Sequence, residues 1–481
     1  MDNSFRDTIP TVDQHGQRVW MYPRKPPTGK RAAKNAPNFY ALRTYLSWFL
    51  LAVLVFGPFI KINGHPLLMM NILERKFSIF GVMFWPQDFP IFALAMITGF
   101  IGLVLFTAVF GRIFCGWICP QTVLLEMVYR KIEYWIEGDA SAQKALNEAP
   151  WDQAKLTKKL LKHSVFFGIS FVIANLLLGY IIGGDALIAL VTSSPTQHAA
   201  GFFALLLFTL LFYGIFARFR EQACTFICPY GRFQSVLLDE NSLVVAYDHK
   251  RGEERARQVR GQSWQERLGL GKGDCVDCGL CVAVCPTGID IRNGTQMECV
   301  NCCNCIDACN SVMAKIDRPA GLIRHASMNN IEKGERFTFT PRIKAYSILL
   351  GILGTALVLL LALRDPINMD LLRVRGSWYQ VQNDGRITNM FEGTFFNKTG
   401  AEITGTLRLL YPEGTLIYSD QVLRLAPEEA TRTTVVVSLA PESITGRETS
   451  MDIGLEVNGR IVDHVKTTFM APETAVQRRR Q

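Results

Sequence analysis

The chain has 481 residues, of which 49% are apolar and only 19% are charged. Since soluble domains average about 25% charged residues, this composition excludes a disordered chain or a coiled coil and disfavours a single soluble globule. The net charge is +9, and the thirteen cysteines are too few for a disulfide scaffold.

Five apolar segments are each long enough to cross a bilayer, which takes about 20 residues in a helix. They are Leu42–Ile60, Phe89–Phe110, Ser164–Ile182, Ala199–Phe216 and Ile343–Leu363. The sequence therefore predicts a multi-domain membrane protein built on an α-helical bundle of five transmembrane spans.

The distribution of Lys and Arg indicates how the spans are oriented, because loops rich in these residues stay in the cytoplasm. Seven precede the first span and eight lie between Arg112 and Lys162, whereas residues 62–88 contain two and residues 183–198 contain none. We therefore expect a cytoplasmic amino terminus, a cytoplasmic segment between the fourth and fifth spans, and an external carboxyl terminus.

The second and fourth spans are each followed by the same motif, C-x3-C-P. It places Cys115 and Cys119 after the second span and Cys224 and Cys228 after the fourth. Residues four apart share one face of a helix, and parallel repeats would bring the two pairs together. Soft sulfur selects Cu(I), zinc or an iron–sulfur cluster, and the spacing does not separate transient copper from a bound cluster. The remaining alternative is that these cysteines are buried small apolar side chains.

Two runs of C-x2-C-x2-C-x3-C lie between the fourth and fifth spans, with the spacing of bacterial ferredoxins that hold paired 4Fe–4S clusters. In that pattern the fourth cysteine of each run ligates the cluster of the other run. We therefore predict one cluster on Cys275, Cys278, Cys281 and Cys309, and a second on Cys299, Cys302, Cys305 and Cys285. Zinc and disulfides are disfavoured, because zinc sites usually need only four ligands and the cytoplasm is reducing.

Two features of this segment fall outside the ligand pattern. Cys303 is a ninth cysteine beside a predicted ligand, and we expect it to be a bystander rather than an exchanged ligand. The basic stretch Lys250–Arg267 is expected to form a solvated face near anionic lipid headgroups, and no nucleic-acid partner is predicted.

After Arg364, short stretches of alternating apolar residues replace the long apolar segments. Predicted strands include Thr406–Leu410, Gln421–Leu425 and Thr433–Leu439, and Asn383–Asp384–Gly385 and Asn458–Gly459 predict turns. About seven strands in this length are typical of an all-β immunoglobulin-like sandwich.

The predicted organisation follows from these segments. It comprises a basic cytoplasmic leader at 1–41, a four-helix membrane domain at 42–240, an inserted α+β two-cluster ferredoxin-like domain at 241–341, the fifth span at 342–365, the immunoglobulin-like domain at 366–473 and a disordered tail at 474–481.

Together these features resemble the FixG/RdxA/CcoG family of cytochrome oxidase accessory proteins over nearly the whole chain. The resemblance implies a multi-pass protein of the bacterial inner membrane, with a periplasmic carboxyl-terminal domain. It also implies a cupric reductase, with copper as a transient substrate that is reduced from Cu(II) to Cu(I) for assembly of cbb3-type oxidase. The expected copper site is Cys115, Cys119, Cys224 and Cys228, with electrons supplied by the two clusters. Implied partners are membrane lipid, an unidentified cytoplasmic electron donor, a copper chaperone or copper-exporting ATPase, and oxidase subunits; the oligomeric state, a homodimer included, is left open.

Two other functions are compatible with the same residues. The protein could carry electrons between quinol and its clusters, as a membrane ferredoxin. Alternatively, it could be a non-enzymatic assembly scaffold, which should tolerate Cys224→Ser and Cys228→Ser but fail without residues 366–481.

Overall fold

The computed structural model describes residues 22–27, 38–62, 65–71, 76–79, 81–84, 88–194, 196–259, 261–335, 338–365, 367–376, 378–399, 401–418, 422–426 and 430–472. The predicted tail at 474–481 and most of the predicted leader lie outside these residues. The chain forms two compact units, of which the first carries the described residues up to Leu357 apart from two short stretches before the second span. The second unit contains those stretches and the described residues from Val358 onward. The domain limits drawn from the sequence stay predictions.

Helices dominate the first half of the chain. In chain order they are α1 (Phe39–Phe56), α2 (Phe89–Phe110), α3 (Ile113–Trp117), α4 (Pro120–Leu124), α5 (Arg130–Ile136), α6 (Ala140–Glu148), α7 (Gln153–Ile182), α8 (Gly184–Thr192), α9 (Ala199–Gly214) and α10 (Pro229–Leu237). Three π-helical turns, Leu125–Tyr129, Ile215–Phe219 and Ala223–Ile227, join or extend these helices. Short strands lie between α1 and α2, namely β1 (Lys61–Ile62), β2 (His65–Pro66), β3 (Leu68–Asn71), β4 (Lys76–Ile79) and β5 (Val82–Phe84).

The cysteine-rich segment is a small α+β structure. Its strands are β6 (Val244–Tyr247) and β7 (Ile323–Ala326), which pair antiparallel. Its helices are α11 (His249–Gly252), α12 (Trp264–Gly269), α13 (Leu280–Ala283), α14 (Asn304–Lys315) and α15 (Met328–Lys333), and it is followed by α16 (Pro341–Ala362).

Five of the described helices are long and apolar enough to cross a membrane, as predicted: α1, α2, α7, α9 with its π-helical extension to Phe219, and α16. The second span has the predicted bounds. The first ends at Phe56 rather than Ile60, because Pro58 cannot continue a helix. The third begins at Gln153 rather than Ser164, where the Asp152 side chain caps it by accepting from the Lys155 amide. This polar first part of α7 is invisible to a search for apolar residues alone.

The ends of these spans meet the cysteine-rich segment. At the start of α1, the Asp307 carboxylate accepts hydrogen bonds from the backbone amides of Phe39 (3.0 Å) and Tyr40 (2.7 Å). At the end of α2, the Leu243 amide donates to the Val109 carbonyl at 2.9 Å. The start of the first span and the end of the second therefore lie on the same side, as spans that alternate in direction require.

The carboxyl-terminal unit is a sandwich of two antiparallel sheets. One sheet has the order β12-β14-β10-β8 with β9 added to β10, and the other has the order β13-β11-β15-β16. The strands are β8 (Ile367–Arg373), β9 (Gln380–Val381), β10 (Ile387–Asn397), β11 (Ile403–Tyr411), β12 (Thr415–Tyr418), β13 (Leu423–Leu425), β14 (Ala430–Leu439), β15 (Glu448–Val457) and β16 (Arg460–Met470). The immunoglobulin-like architecture is confirmed, with nine strands among the described residues of this unit where about seven were expected.

The two predicted turns of the sandwich are confirmed. Asn458 and Gly459 both have positive φ, 53° and 76°, between the paired strands β15 and β16. That is the geometry of a two-residue hairpin, which Asn-Gly adopts with little strain. Gly385, with φ of 82°, lies between β9 and β10.

The sandwich core contains no cysteine, so apolar packing alone must stabilise it. Phe391, Phe395 and Phe469 are completely buried among aliphatic side chains of both sheets. Phe391→Ala should therefore lower the stability of this unit by ~3–5 kcal/mol, measured as a lower unfolding temperature and faster proteolysis within residues 367–472. Trp378→Ala is the control, because Trp378 is 64% exposed and its loss should change stability by less than ~0.5 kcal/mol. Equal effects of the two substitutions would contradict this core.

Candidate functional site

The structure arranges all nine cysteines of the cysteine-rich segment around two cavities. The first cavity is lined by Cys275, Cys278, Cys281 and Cys309, and the second by Cys285, Cys299, Cys302, Cys303 and Cys305. Cys281 also borders the second cavity, so the two are neighbours. The first cavity thus receives Cys309 from the second run, and the second cavity receives Cys285, with Cys281 at its border, from the first run. This grouping is compatible with crossed ligation, and the ligand assignment itself stays a prediction.

The two cysteine runs have the same local backbone conformation. In each, the residue before the second cysteine is left-handed, Asp277 with φ of 46° and Asn301 with φ of 53°. The residue after it is left-handed again, Gly279 with φ of 65° and Cys303 with φ of 64°. A helix then begins, α13 at Leu280 and α14 at Asn304. The third and fourth cysteines of each run are carried on or just beyond that helix.

The cavities fit iron–sulfur clusters in their donor chemistry. Burial raises the pKa of the Cys281 and Cys309 thiols to about 12 and that of the Cys299 thiol to about 11. Iron would bind these residues as thiolates, so cluster binding would release the thiol protons. The Tyr247 hydroxyl at the first cavity and the Asn301 side-chain nitrogen beside the second are buried without a hydrogen-bond partner among the described residues. Such donors suit the sulfurs of a cluster.

Cys303 occupies the position that Gly279 holds in the first run. Its sulfur lies 3.1 Å from His325 Nε2 and donates to the Asn301 carbonyl at 3.3 Å. Its side chain is only 1% exposed. A non-glycine residue in this conformation is strained, so Cys303 is held by the contacts of its thiol, and the bystander role stays a prediction.

The basic stretch Lys250–Arg267 is only in part the solvated face that we expected, because Lys250 and Arg257 are exposed but Arg267 is buried. Arg267 is 1% exposed and donates hydrogen bonds to the backbone carbonyls of Gly273 (2.9 Å) and Cys275 (2.9 Å). Arg251 pairs with Asp274 at 2.6 Å. The guanidinium groups of Arg251 and Arg267 contact the loop that carries the first predicted ligands. For Arg267 the expectation is wrong, because charge in a sequence does not reveal which backbone carbonyls will accept a hydrogen bond.

The two C-x3-C-P motifs adopt the same fold at the ends of α2 and α9. Four residues before the first cysteine of each motif the backbone turns sharply, at Gly111 (φ 60°, ψ −140°) and Arg220 (φ 52°, ψ −124°). A single helical turn carries the first cysteine, and the second cysteine is the N-cap of a new helix whose first residue is proline. The internal repeat predicted from the sequence is therefore present in the backbone.

This geometry corrects one expectation. The two cysteines of a motif do not share one face of a continuous helix, because Ile118 ends α3 and Cys119 caps α4. The cause is the proline, whose missing amide suits the first position of a helix and prevents continuation of the previous one. Cys228 stands in the same relation to Pro229.

The four motif cysteines nevertheless lie near one another. Burial raises the pKa of the Cys224 thiol to about 12, and the neighbouring Cys119, Cys115 and Cys228 add to that rise. Across the described ranges, no three His, Cys, Asp or Glu side chains converge closely enough to hold a single metal ion. For the motif cysteines it means that holding one ion would require the two segments to move closer together.

The first motif packs directly on the loop of the second cavity. Cys115 is buried against Val300 and Cys302, and Trp117 Nε1 donates to the Asn301 carbonyl at 3.1 Å. A side-chain carbon at Gly116 would lie 2.4 Å from the Val300 carbonyl oxygen, so only glycine permits this approach. Cys115 therefore lies against the Val300–Cys302 loop, which also lines the cavity of the second predicted cluster.

Several residues at this junction were missed from the sequence. Gln234 accepts from Arg112 Nε at 2.7 Å and from the Cys115 thiol at 3.3 Å. Arg112 also donates to the Met297 carbonyl, which ties the motif to the cysteine-rich segment. The sequence did offer one usable signal: Gly111 directly follows an apolar span, which is typical of a turn before the first motif. Nothing in the sequence marked Gln234.

Comparison with known proteins agrees with this architecture. Residues 219–328 match the family described as a 4Fe–4S dicluster domain, residues 92–138 match a 4Fe–4S binding domain, and residues 357–472 match the immunoglobulin-like fold at the C terminus of FixG. Protein RdxA of Cereibacter sphaeroides is 36% identical over 75% of this chain and 78% of its own length. The chain belongs to the FixG/RdxA/CcoG family.

Two further relatives support the assignment. Nitrogen fixation protein FixG of Rhizobium meliloti is 31% identical, with 78% of this chain and 76% of that protein covered. Protein RdxB of Cereibacter sphaeroides is 34% identical over 76% and 78% of the two chains. A solved FixG-related protein from Vibrio parahaemolyticus covers 22% of this chain and 96% of its own, with 18% identity and a TM-score of 0.19, which adds nothing to the fold assignment. The protein is therefore a FixG-like iron–sulfur membrane protein that transfers electrons.

The contact at Gly116 can be tested by one methyl group. Gly116→Ala should destabilise the protein by ~1–3 kcal/mol, because the rigid Val300 carbonyl has no room to yield. Gly99→Ala is the matched control, since nothing lies within 4 Å of its added carbon; alanine there should be neutral or stabilising by up to ~1 kcal/mol. Thermal unfolding of the detergent-purified protein is the measurement. A Gly116→Ala variant as stable as Gly99→Ala would show that the two segments do not touch.

The strain at Cys303 gives a second test. Cys303→Gly should be about 1 kcal/mol more stable than Cys303→Ala, the reverse of the usual order, because glycine adopts the left-handed conformation freely. Both variants should retain two clusters by iron content and visible absorption. Loss of a cluster in Cys303→Ala would instead identify Cys303 as a ligand.

Proposed function

We propose that this protein is a cupric reductase, which reduces Cu(II) to Cu(I) at Cys115, Cys119, Cys224 and Cys228 for assembly of cbb3-type cytochrome c oxidase. Clusters held by the two cysteine sets supply electrons one at a time, as a one-electron metal couple requires. The observation that carries the proposal is the contact between the first C-x3-C-P motif and the Val300–Cys302 loop.

The exposure of the cysteines supports a direction for the electrons. Cys278 of the first set is exposed, whereas Cys302 of the second set is buried against Cys115. An external donor therefore has access to the first set, and Cys115 of the first motif adjoins the second. Electrons would therefore pass from the surface through the first cysteine set and then the second to the proposed copper site.

The donor set of the proposed site suits the product more than the substrate. Cu(II) prefers nitrogen and oxygen ligands, whereas Cu(I) prefers thiolates. A thiolate site therefore favours reduction of the metal that enters it. Cys119 and Cys228 each precede a proline, and Cys228 also follows a π-helical turn, a form that is frequent at functional sites.

Location and partners belong to the same proposal. The excess of Lys and Arg in 112–162 supports a cytoplasmic position for the four motif cysteines at the inner membrane, in which case the immunoglobulin-like domain faces the periplasm. A cytoplasmic reductant is the expected electron donor. A copper chaperone or copper-exporting ATPase would receive Cu(I), and the periplasmic domain would contact oxidase subunits.

The alternative of a quinol-linked carrier has one feature in its favour. An apolar cleft of 680 Å³ between α7, α8 and α9 includes the polar side chains of Asn175, Ser193 and His198. However, His198 precedes the first residue of α9, and Cys224 follows its last turns. The 16 residues of α9 separate the two by roughly 24 Å at 1.5 Å per residue. A quinol in this cleft would be poorly placed to exchange electrons with the cysteines.

The proposal predicts that copper and cluster oxidation are coupled. Anaerobically reduced protein mixed with Cu(II) should produce Cu(I), detected with a colorimetric chelator, in step with recovery of the oxidised-cluster absorption. The Cys224→Ser/Cys228→Ser variant should keep both clusters but lose at least about tenfold in rate, because a 1.4 kcal/mol weaker interaction already costs tenfold.

Iron content and cluster absorption of the variant are the controls for folding. Unchanged copper reduction in the variant would exclude these cysteines as the site. If the clusters stay reduced with Cu(II) but are reoxidised by a quinone, the protein is a quinone-linked carrier and not a cupric reductase.

A further inference from the structure

The antiparallel pair β6 and β7 lies across both cysteine cavities. Val245 of β6 lines the second cavity, and Tyr247, two residues further along, lines the first. Because alternate residues of a strand share one face, the two side chains belong to the same face of β6. Ile323 of β7 pairs with Tyr247 and also lines the first cavity. One strand face therefore presents a side chain to each cavity, an apolar one to the second and a tyrosine to the first.

The hydroxyl of Tyr247 is buried without an acceptor. Tyr247 is 5% exposed, and its hydroxyl oxygen makes no hydrogen bond to any residue that the structure describes. A buried hydroxyl that gives up its water without gaining a partner is unfavourable, and native proteins retain few such groups. The packing of the chain alone therefore does not account for a tyrosine at this position, where phenylalanine would fill the same space.

The hydroxyl lies near one of the predicted cluster ligands. Burial, and after it the neighbouring Cys275, raise the pKa of the Tyr247 hydroxyl well above its ordinary value, which places the Cys275 sulfur within electrostatic reach of the hydroxyl. Cys275 lines the first cavity together with Tyr247. The donor is thus at the wall of the cavity, beside a sulfur that a cluster would hold as a thiolate.

The other polar side chain of the first cavity already has acceptors. Apart from the cysteines, the lining contains two polar side chains, Tyr247 and Arg292. Arg292 donates to the two carboxylate oxygens of Asp290, at 2.9 and 2.7 Å, and to the Asp277 carboxylate at 2.6 Å. Among the described lining residues, Tyr247 is therefore the side chain whose donor is left for a group inside the cavity.

The surrounding chain restricts the position of this hydroxyl. A side-chain carbon at Gly252 would lie 2.2 Å from the Tyr247 hydroxyl oxygen and 2.5 Å from the ring carbon that bears it, so α11 approaches the tyrosine closely because residue 252 is glycine. The Arg255 guanidinium lies 6.0 Å from the centre of the same ring. With the backbone of α11 on one side, the hydroxyl cannot turn that way to reach solvent.

We propose that Tyr247 donates a hydrogen bond to a sulfur of the first predicted cluster and thereby raises the reduction potential of that cluster. The Cys275 thiolate is the nearest such acceptor. Hydrogen bonds to the sulfurs are one of the factors that set the potential of an iron–sulfur cluster. They raise it because a cluster that accepts an electron becomes more negative, and a donor stabilises the more negative state. Since Val245 holds the corresponding position at the second cavity, the effect belongs to one cluster of the two.

The hydrogen bond bears on how electrons enter the protein. The exposed Cys278 belongs to the same cysteine set, so Tyr247 acts on the set that an external donor can reach. A higher potential there allows a weaker reductant to supply the electron. This consequence rests on the proposed direction of electron transfer, whereas the hydrogen bond rests only on the predicted first cluster and holds whether or not copper is the substrate.

The test is a redox titration of the full-length protein in detergent, without copper, in which electron paramagnetic resonance follows the reduced clusters. In Tyr247→Phe one of the two midpoint potentials should fall. At a fixed solution potential, the ratio of reduced to oxidised cluster should drop about tenfold, which corresponds to about 59 mV for one electron. The other midpoint potential and the iron content should stay unchanged. Two unchanged potentials, or an equal shift of both, would overturn the proposal.

Two further variants separate hydrogen-bond donation from packing. Tyr134→Phe is the matched control, because it also removes a tyrosine hydroxyl, one that donates to the Pro23 carbonyl at 3.0 Å and lines neither cavity; both potentials should stay unchanged. Replacement of Tyr247 by p-aminophenylalanine keeps a neutral N–H donor at the same place and should restore the higher potential. If this replacement lowers the potential as far as Tyr247→Phe does, or loses a cluster as Tyr247→Phe does, packing is responsible and the proposal is wrong.

Discussion

The contact of Gly116 with the Val300 carbonyl is the constraint on which the rest of the site depends. It brings a membrane-edge cysteine motif against a ferredoxin loop, although the two are nearly two hundred positions apart in the sequence. A helix that carried any side chain at position 116 would be pushed away from the loop. The closeness of Cys115 to Cys302 follows from this one missing side chain, and the proposed electron route follows from that closeness.

A chain of buried charges also links the first span, the ferredoxin segment and the second motif. Arg43 of α1 donates to Asn304 of α14 at 3.3 Å and lies 3.8 Å from Glu126. Glu126 pairs with Arg130, which pairs in turn with Glu221, just ahead of Cys224. Buried ion pairs contribute little net stability, but removal of one partner leaves an uncompensated charge. We infer that this chain of charges fixes the arrangement of the first span, both motifs and the ferredoxin segment.

The sequence was most informative where spacing itself encodes chemistry. The two cysteine runs predicted the grouping of thiols around two cavities, and the apolar segments predicted five spans, because both patterns are local. The immunoglobulin-like sandwich was predicted from turn signals such as Asn458–Gly459. The close approach at Gly116, the Gln234 contact to Cys115 and the buried role of Arg267 could not be predicted, since each depends on a partner distant in the sequence. The polar start of α7 was missed because its lysines, Lys155, Lys158 and Lys159 among them, interrupt any continuous apolar stretch.

The central claim is that electrons leave the second cysteine set for copper held by the motif cysteines. Rapid-freeze electron paramagnetic resonance measures this most directly, with fully reduced protein mixed anaerobically with one equivalent of Cu(II). The account predicts that the Cu(II) signal disappears together with the spin coupling between two reduced clusters, which leaves the spectrum of one reduced cluster. It is contradicted if the Cu(II) signal persists beside two coupled clusters, or disappears equally fast in a Cys115→Ser/Cys119→Ser variant that retains both clusters.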